Sequence, residues 1–309
     1  MNSPPRGNKP SHDNPGGHAY LGLRALAKRH GRTSAEYLRL YALEGFLLRL
    51  ESSRHREDLV LKGGVLLAAY DQRRPTADID FAALHQSNDL EQERRLVLAI
   101  AQTDLTNAQD DGLRFDTTGA RAEVIREDDS YSGVRVTLTA ALATARETFH
   151  VDVNVGDPIW PAPQTVAVPR LLGGNIYLRG YPLVMVLAEK LVTATQRGTS
   201  STRWRDFADI YLLTGRHEFN AETARAALAE VARHRQVQIE PLRTTLADYT
   251  QDGQTKWSRW RGRQNLQDRL PDHFGDVLRA TFDYHDPLLD RATVPEHHTW
   301  SPAARRWQP

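Results

Sequence analysis

The sequence predicts an α/β fold in which a mixed-sheet core is followed by an all-α C-terminal region. Three observations carry that reading. Segments of two-residue alternation, "ADIDFAAL", "GVRVTLTAAL" and "ETFHVDVNVGD", lie between Ala77 and Asp157. Helical three-and-four periodicity dominates before Arg54 and again from Pro182 onward. The change of period falls near "RGYP", Arg179 to Pro182, which divides the chain into an α/β domain at 18–180 and a helical domain at 181–290. Residues 1–17 and 291–309 are expected to be tails, the first disordered because it is rich in Pro, Gly and Asn.

Taken in order, "AYLGLRALAKRHG" closes a first helix at Gly31, and Thr33 or Ser34 caps a second that runs toward Arg54. "DLVL", Asp58 to Leu61, is a short strand ending at Gly63-Gly64, and "VLLAAY" suits a helix starting there. "ADIDFAAL" puts Ile79 and Phe81 on one face and Asp78 and Asp80 on the other. Leu90 to Gln102 reads as a helix, and three successive strands follow. In the last of them Val151, Val153 and Val155 alternate with His150, Asp152 and Asn154, so a third acid lies on a polar strand face. From Pro182 the helical segments include "LVMVLAEKLVTATQRG" and "RWRDFADIYLLTG".

Composition bounds the chemistry. The chain has 309 residues, 40% of them hydrophobic and 26% charged, enough for a sizeable core. Its net charge of +1 neither requires nor excludes a polyanionic partner. The absence of cysteine excludes disulfides and thiolate zinc sites and agrees with a reducing cytoplasm. No apolar run approaches the roughly 20 residues that span a bilayer, and the N-terminus lacks the apolar centre of a secretory signal.

Two acids inside an otherwise apolar strand need an explanation, because a desolvated carboxylate is costly without a cation or strong donors. Asp78 and Asp80 lie roughly 7 Å apart along the strand, a gap hard cations bridge, and Asp152 from a neighbouring strand would add a third ligand. A strand, a Gly63-Gly64 turn and a helix would let a phosphate approach the main chain closely. Each element has a plainer reading: a tight turn, two solvated acids on an edge strand, a surface Lys190 paired with Glu189, and a salt-bridged helix face at Asp206 and Asp209. Arg73, Arg74 and Thr76 either touch phosphates or are a solvated loop. "KWSRWRGR", Lys256 to Arg263, reads as a nucleic-acid contact or as two core tryptophans with arginines on the wet side. "FDTTG", Phe115 to Gly119, is a turn, and His297-His298 belongs to the exposed tail.

The ordered set "GG", "TADIDF", "FHVDVNVGD", "LAEKLVT" and "RWRDFADIYLL", from Leu59 to Leu213, resembles the nucleotidyltransferase toxins of the AbiEii/AbiGii type, including the MenT group, within the polymerase-β-like nucleotidyltransferase superfamily. The resemblance implies a mixed-sheet nucleotidyltransferase core. It implies that Asp78, Asp80 and Asp152 hold Mg2+ in a two-metal site, with Asp152 helping to draw a proton from the attacking hydroxyl. Gly63, Gly64 and Thr76 would meet the nucleotide, Lys190 would neutralise its triphosphate, and Asp209, with Asp206, would belong to the following acidic motif. The implied activity moves a nucleoside monophosphate, of pyrimidine type, from an NTP to the 3′ acceptor end of tRNA, releasing pyrophosphate and blocking aminoacylation and growth. A cognate antitoxin protein is the implied partner. The alternatives are a nucleotidyltransferase acting on a small-molecule or protein hydroxyl, and an inactive nucleic-acid or antitoxin binding module.

Overall fold

The computed structural model describes residues 10–84, 89–106, 109–127 and 131–309. The chain forms two compact units: residues up to Asp157 together with Gln164–Gly180, and Pro158–Pro163 together with Tyr181–Pro309.

The first unit opens with helices α1 (Pro15–Arg29) and α2 (Ser34–Ser52). Helix α1 begins inside the segment expected to be a disordered tail. Asn14 accepts a hydrogen bond from the Gly17 N–H at 2.8 Å and Pro15 occupies the first turn, so residues that signal disorder by composition serve here as a cap and a helix start. Residues 1–9 lie outside the described residues. Thr33 caps α2 through the Glu36 N–H at 3.3 Å. Strand β1 (Leu59–Lys62) runs into the single turn α3 (Gly63–Leu66), then come β2 (Asp78–Ala83), α4 (Leu90–Ala101), β3 (Leu113–Glu127), β4 (Tyr131–Leu142) and β5 (Ala145–Val155). Strands β6 (Gln164–Pro169) and β7 (Asn175–Gly180) complete a seven-stranded mixed sheet of order β3-β4-β5-β2-β1-β7-β6. The β6–β7 hairpin has no counterpart in the sequence reading, because its outward positions are exposed and its alternation is short.

Alternation sorts the sheet into two faces. Ile79, Phe81, Val134, Val136, Phe149, Val151 and Val153 are all but fully buried. They form an aromatic core with α2, in which the Phe46 ring lies 6.4 Å from Phe81 and 6.2 Å from Phe149. A buried bidentate pair, Arg49 on Asp111 at 2.7 and 3.1 Å, ties α2 to the start of β3. The opposite face carries the acids. Asp116 accepts from the N–H groups of Thr118 and Gly119 where the β3–β4 register shifts, so "FDTTG" is a bulge within a strand.

The second unit is built on α5 (Leu183–Arg197), α6 (Trp204–Thr214), α7 (Ala221–His234), α8 (Leu242–Thr245), α9 (Tyr249–Arg263) and α10 (Phe274–His285). Three short strands, β8 (Phe219–Asn220), β9 (Thr299–Ser301) and β10 (Arg306–Gln308), form a small antiparallel sheet of order β10-β9-β8. Residues 291–309 are therefore not a tail. Trp300 is fully buried and donates to the Thr214 carbonyl at 2.7 Å, Trp307 donates to the Tyr284 carbonyl at 2.9 Å, and the His298 carbonyl accepts from Ala221 at 2.9 Å. Strands of three residues show no measurable period, which is why the sequence does not announce them. In α9, Trp257 is fully buried and stacks on Trp260, while Arg261 pairs with Asp272. Lys256, Arg259 and Arg263 are exposed, so Trp257 is core, with half-buried Trp260 stacked on it and these basic residues on the wet side.

Candidate active site

The acids occupy adjacent strands of the first unit. Strands β2 and β5 run parallel with Asp80 opposite Asp152 and Asp78 opposite His150. On the other side of β2, Lys62 stands opposite Asp80 in antiparallel β1, and beyond β5, Arg135 of β4 stands opposite Asp152. The structure thus brings Asp78, Asp80 and Asp152 to one face. Asp78 and Asp80 are half-buried and Asp152 is buried.

The glycines stand where the site leaves no room for a side chain. Gly63 has φ +66°, and a Cβ there would overlap the Asp80 carboxylate. At Gly64 a Cβ would come within 3.0 Å of both Arg74 Nη1 and Thr76 Oγ1. Gly63→Ala therefore combines a left-handed backbone with a clash. It is expected to cost about 1–3 kcal/mol and to displace Asp80, which a thermal melt and a transfer assay would both register; an unchanged melting temperature would refute the close approach.

Electrostatics single out Asp80. Burial, with Asp152 and then Asp78 adding repulsion, pushes its carboxyl up to about 6, against the opposing pull of Lys62 and Arg74. Lys62 is itself buried and ion-paired with Asp157. Arg73, offered by the sequence as a phosphate contact, is committed elsewhere: it bonds buried Glu44 at 2.7 Å and the Pro169 carbonyl, while Glu44 also accepts twice from the Leu171 N–H.

Hard carboxylate oxygens crowded together fit a divalent cation such as Mg2+. That fit is clearest at Asp78 and Asp80. Asp152 is turned onto Arg135, with Nε to Oδ1 at 2.8 Å and Nη2 to Oδ2 at 2.7 Å. Among the described residues no group of three His, Asp or Glu side chains stands gathered for a metal ion. Arg135 and Lys62 escaped the sequence reading, although Arg135 lies between Val134 and Val136 on the polar side of a recognisable strand.

In the second unit, Lys190 of α5 reaches Asp206 at 2.7 Å and Asp209 at 2.9 Å, both on α6. It is mostly buried with them rather than lying at the surface. Arg203 adds a contact to Asp206 at 2.5 Å. Burial alone would raise the Asp206 carboxyl, but Lys190 and Arg203 outweigh it and hold it down at about 2. A carboxylate whose pKa falls on folding stabilises the fold fully above its unfolded value, near 3.9, and loses that contribution as pH drops toward 2. Acid unfolding monitored by circular dichroism should accordingly steepen in that window for the parent and less so for Asp206→Asn.

The family model described as "Nucleotidyl transferase AbiEii toxin, Type IV TA system" matches residues 45–283. The chain belongs to the AbiEii nucleotidyltransferase toxin family. Two crystal structures from H. pylori are similar to it, a candidate nucleotidyltransferase and JHP933. Each is 16% identical with a TM-score of 0.42; 77% of this chain is covered, against 86% and 84% of theirs. No curated protein matches. As an AbiEii family member the protein is a nucleotidyltransferase of a type IV toxin–antitoxin system, which implies an NTP substrate and an antitoxin partner. The AbiEii match covers the glycine turn, all three sheet acids and the Lys190–Asp206–Asp209 cluster. Among the described residues no helix is long and apolar enough to cross a membrane.

Proposed function

We propose that the chain transfers a nucleoside monophosphate from an NTP, of pyrimidine type, to the 3′ acceptor end of tRNA in the cytoplasm, and so blocks aminoacylation. The observation that supports this most is the register pairing of Asp80 with Asp152 beside a glycine turn that admits no Cβ.

In this reading Asp78, Asp80 and Asp152 hold two Mg2+ ions, which when bound supply Lewis-acid polarisation of the phosphoryl oxygens. Gly63 and Gly64 let the triphosphate lie against the main chain, with Thr76 beside it. Asp152 accepts the proton of the acceptor hydroxyl, whose oxygen bonds to the α-phosphorus as the bond from that phosphorus to the bridging oxygen breaks. Pyrophosphate leaves with the electron pair, and the proton passes from Asp152 to solvent. The family resemblance implies that Lys190 neutralises charge on the triphosphate, and within the second unit Asp209, 2.9 Å from it, holds the ammonium in place.

Incubation with each labelled NTP, Mg2+ and either total tRNA or total protein tests the proposal. Label at tRNA 3′ ends supports it. Label in protein or small molecules would replace the acceptor, and no label in any fraction would overturn transfer altogether.

A further inference from the structure

The acids of the sheet belong to a charged row that crosses five strands. Reading directly across the ladder, Glu123 of β3 faces Arg135 of β4, Arg135 faces Asp152 of β5, Asp152 faces Asp80 of β2, and Asp80 faces Lys62 of β1. Signs run minus, plus, minus, minus, plus. The adjacent pair of negatives at its centre has a cation on each flank, and the two cations are bound differently. Lys62 is buried and locked to Asp157. Arg135 grips Asp152 in a two-pronged bond, yet keeps 30% of its side chain exposed and has a second acid, Glu123, directly opposite on its other side.

We propose that Arg135 is a positioning residue that serves as the exchangeable counter-ion of Asp152, holding its carboxylate while no divalent cation is bound and turning toward Glu123 when one arrives. The inference rests on the reading of Asp78, Asp80 and Asp152 as metal ligands and adds a competitor to it. A carboxylate gripped on both oxygens has its best-directed lone pairs occupied, so a metal ion entering between Asp80 and Asp152 must take that bond over. The exposed flank of Arg135 gives the guanidinium somewhere to go, whereas the buried Lys62 stays. Asp152 keeps a cationic partner in both states, because the metal supplies on one side of it what the arginine withdraws from the other.

The test is metal binding to the nucleotide-free protein, read by Mn2+ titration with electron paramagnetic resonance and by the Mg2+-induced rise in melting temperature. Removing the competitor in Arg135→Gln should tighten Mn2+ binding by at least about tenfold, while Arg135→Lys, which keeps the charge, should stay near the parent. Because Asp152 is buried, the melting curve recorded without metal serves as the check that each variant folds. Unchanged or weaker Mn2+ binding in Arg135→Gln would overturn the inference, provided the parent binds Mn2+ and Asp80→Asn does not. If neither the parent nor Arg135→Gln binds Mn2+, the reading of the acids as a metal site falls, and the exchange with it.

Discussion

Asp80→Asn is expected to melt at a higher temperature than the parent and to transfer no nucleotide. Folding drives this carboxyl from 3.8 to about 6, so its ionised form is disfavoured in the folded protein relative to the unfolded chain. A raised carboxyl contributes stability only below its unfolded pKa, and that contribution is gone once pH has risen through the folded one. At pH 7 the parent therefore carries a penalty of about 2–3 kcal/mol that the amide removes. The gain should shrink markedly by pH 4 and vanish only well below the unfolded value of 3.8, where Asp80 is protonated in both states. Activity should fall at least about a thousandfold, the scale on which a metal ligand acts at a reacting phosphoryl group. Differential scanning calorimetry at pH 4 and pH 7 alongside a labelled-NTP assay measures both sides. A variant that melts lower at pH 7 would show that the crowding of Asp78, Asp80 and Asp152 is relieved in some other way, and one that labels as well as the parent would remove Asp80 from the chemistry.

Lys190→Met should have the largest effect on the second unit. Asp206 and Asp209 are 6% and 3% exposed, and the lysine is the cation they share. Deleting one partner of a buried ionic group leaves uncompensated charge and costs about 3–5 kcal/mol. Stability alone would not separate a structural lysine from one that meets the nucleotide. The triple variant Lys190→Met, Asp206→Asn, Asp209→Asn does, because neutral amides no longer need the ammonium. It should recover much of the lost stability in a urea melt and still transfer nothing. Parent-like transfer by the refolded triple variant would make Lys190 a purely structural residue.

Which of these residues the sequence discloses follows from the range over which each signal acts. Asp78, Asp80 and Asp152 are legible because alternation within a single strand fixes which side chains share a face. Gly63 is legible as a turn, but its approach to Asp80 is set by the pairing of β1 with β2, which no local pattern encodes. Arg135 shows the same limit: its side of β4 can be read, its partner cannot, since register is decided by the neighbouring strands and a slip of one residue would turn it away. The Lys190 cluster spans two helices. Periodicity puts Asp206 and Asp209 together, three residues apart, yet only the packing of α5 against α6 gives them the lysine. The mixed sheet and the mostly helical second unit were legible because their long elements repeat a period many times; the β6–β7 hairpin and the C-terminal strands are too brief for that.

Those last strands have a bearing on how the gene can be broken. Trp300 docks on the Thr214 carbonyl, and Arg305 covers Gly215 and lies over the Tyr211 ring with 4.0 Å to its centroid, so β9 and the turn after it clamp the end of the helix that carries Asp206 and Asp209. A premature stop codon shortly before Thr299 would strip that clamp while sparing every candidate site residue. Cells that survive selection against the active protein should therefore yield nonsense alleles shortly before Thr299 as well as substitutions at the acids.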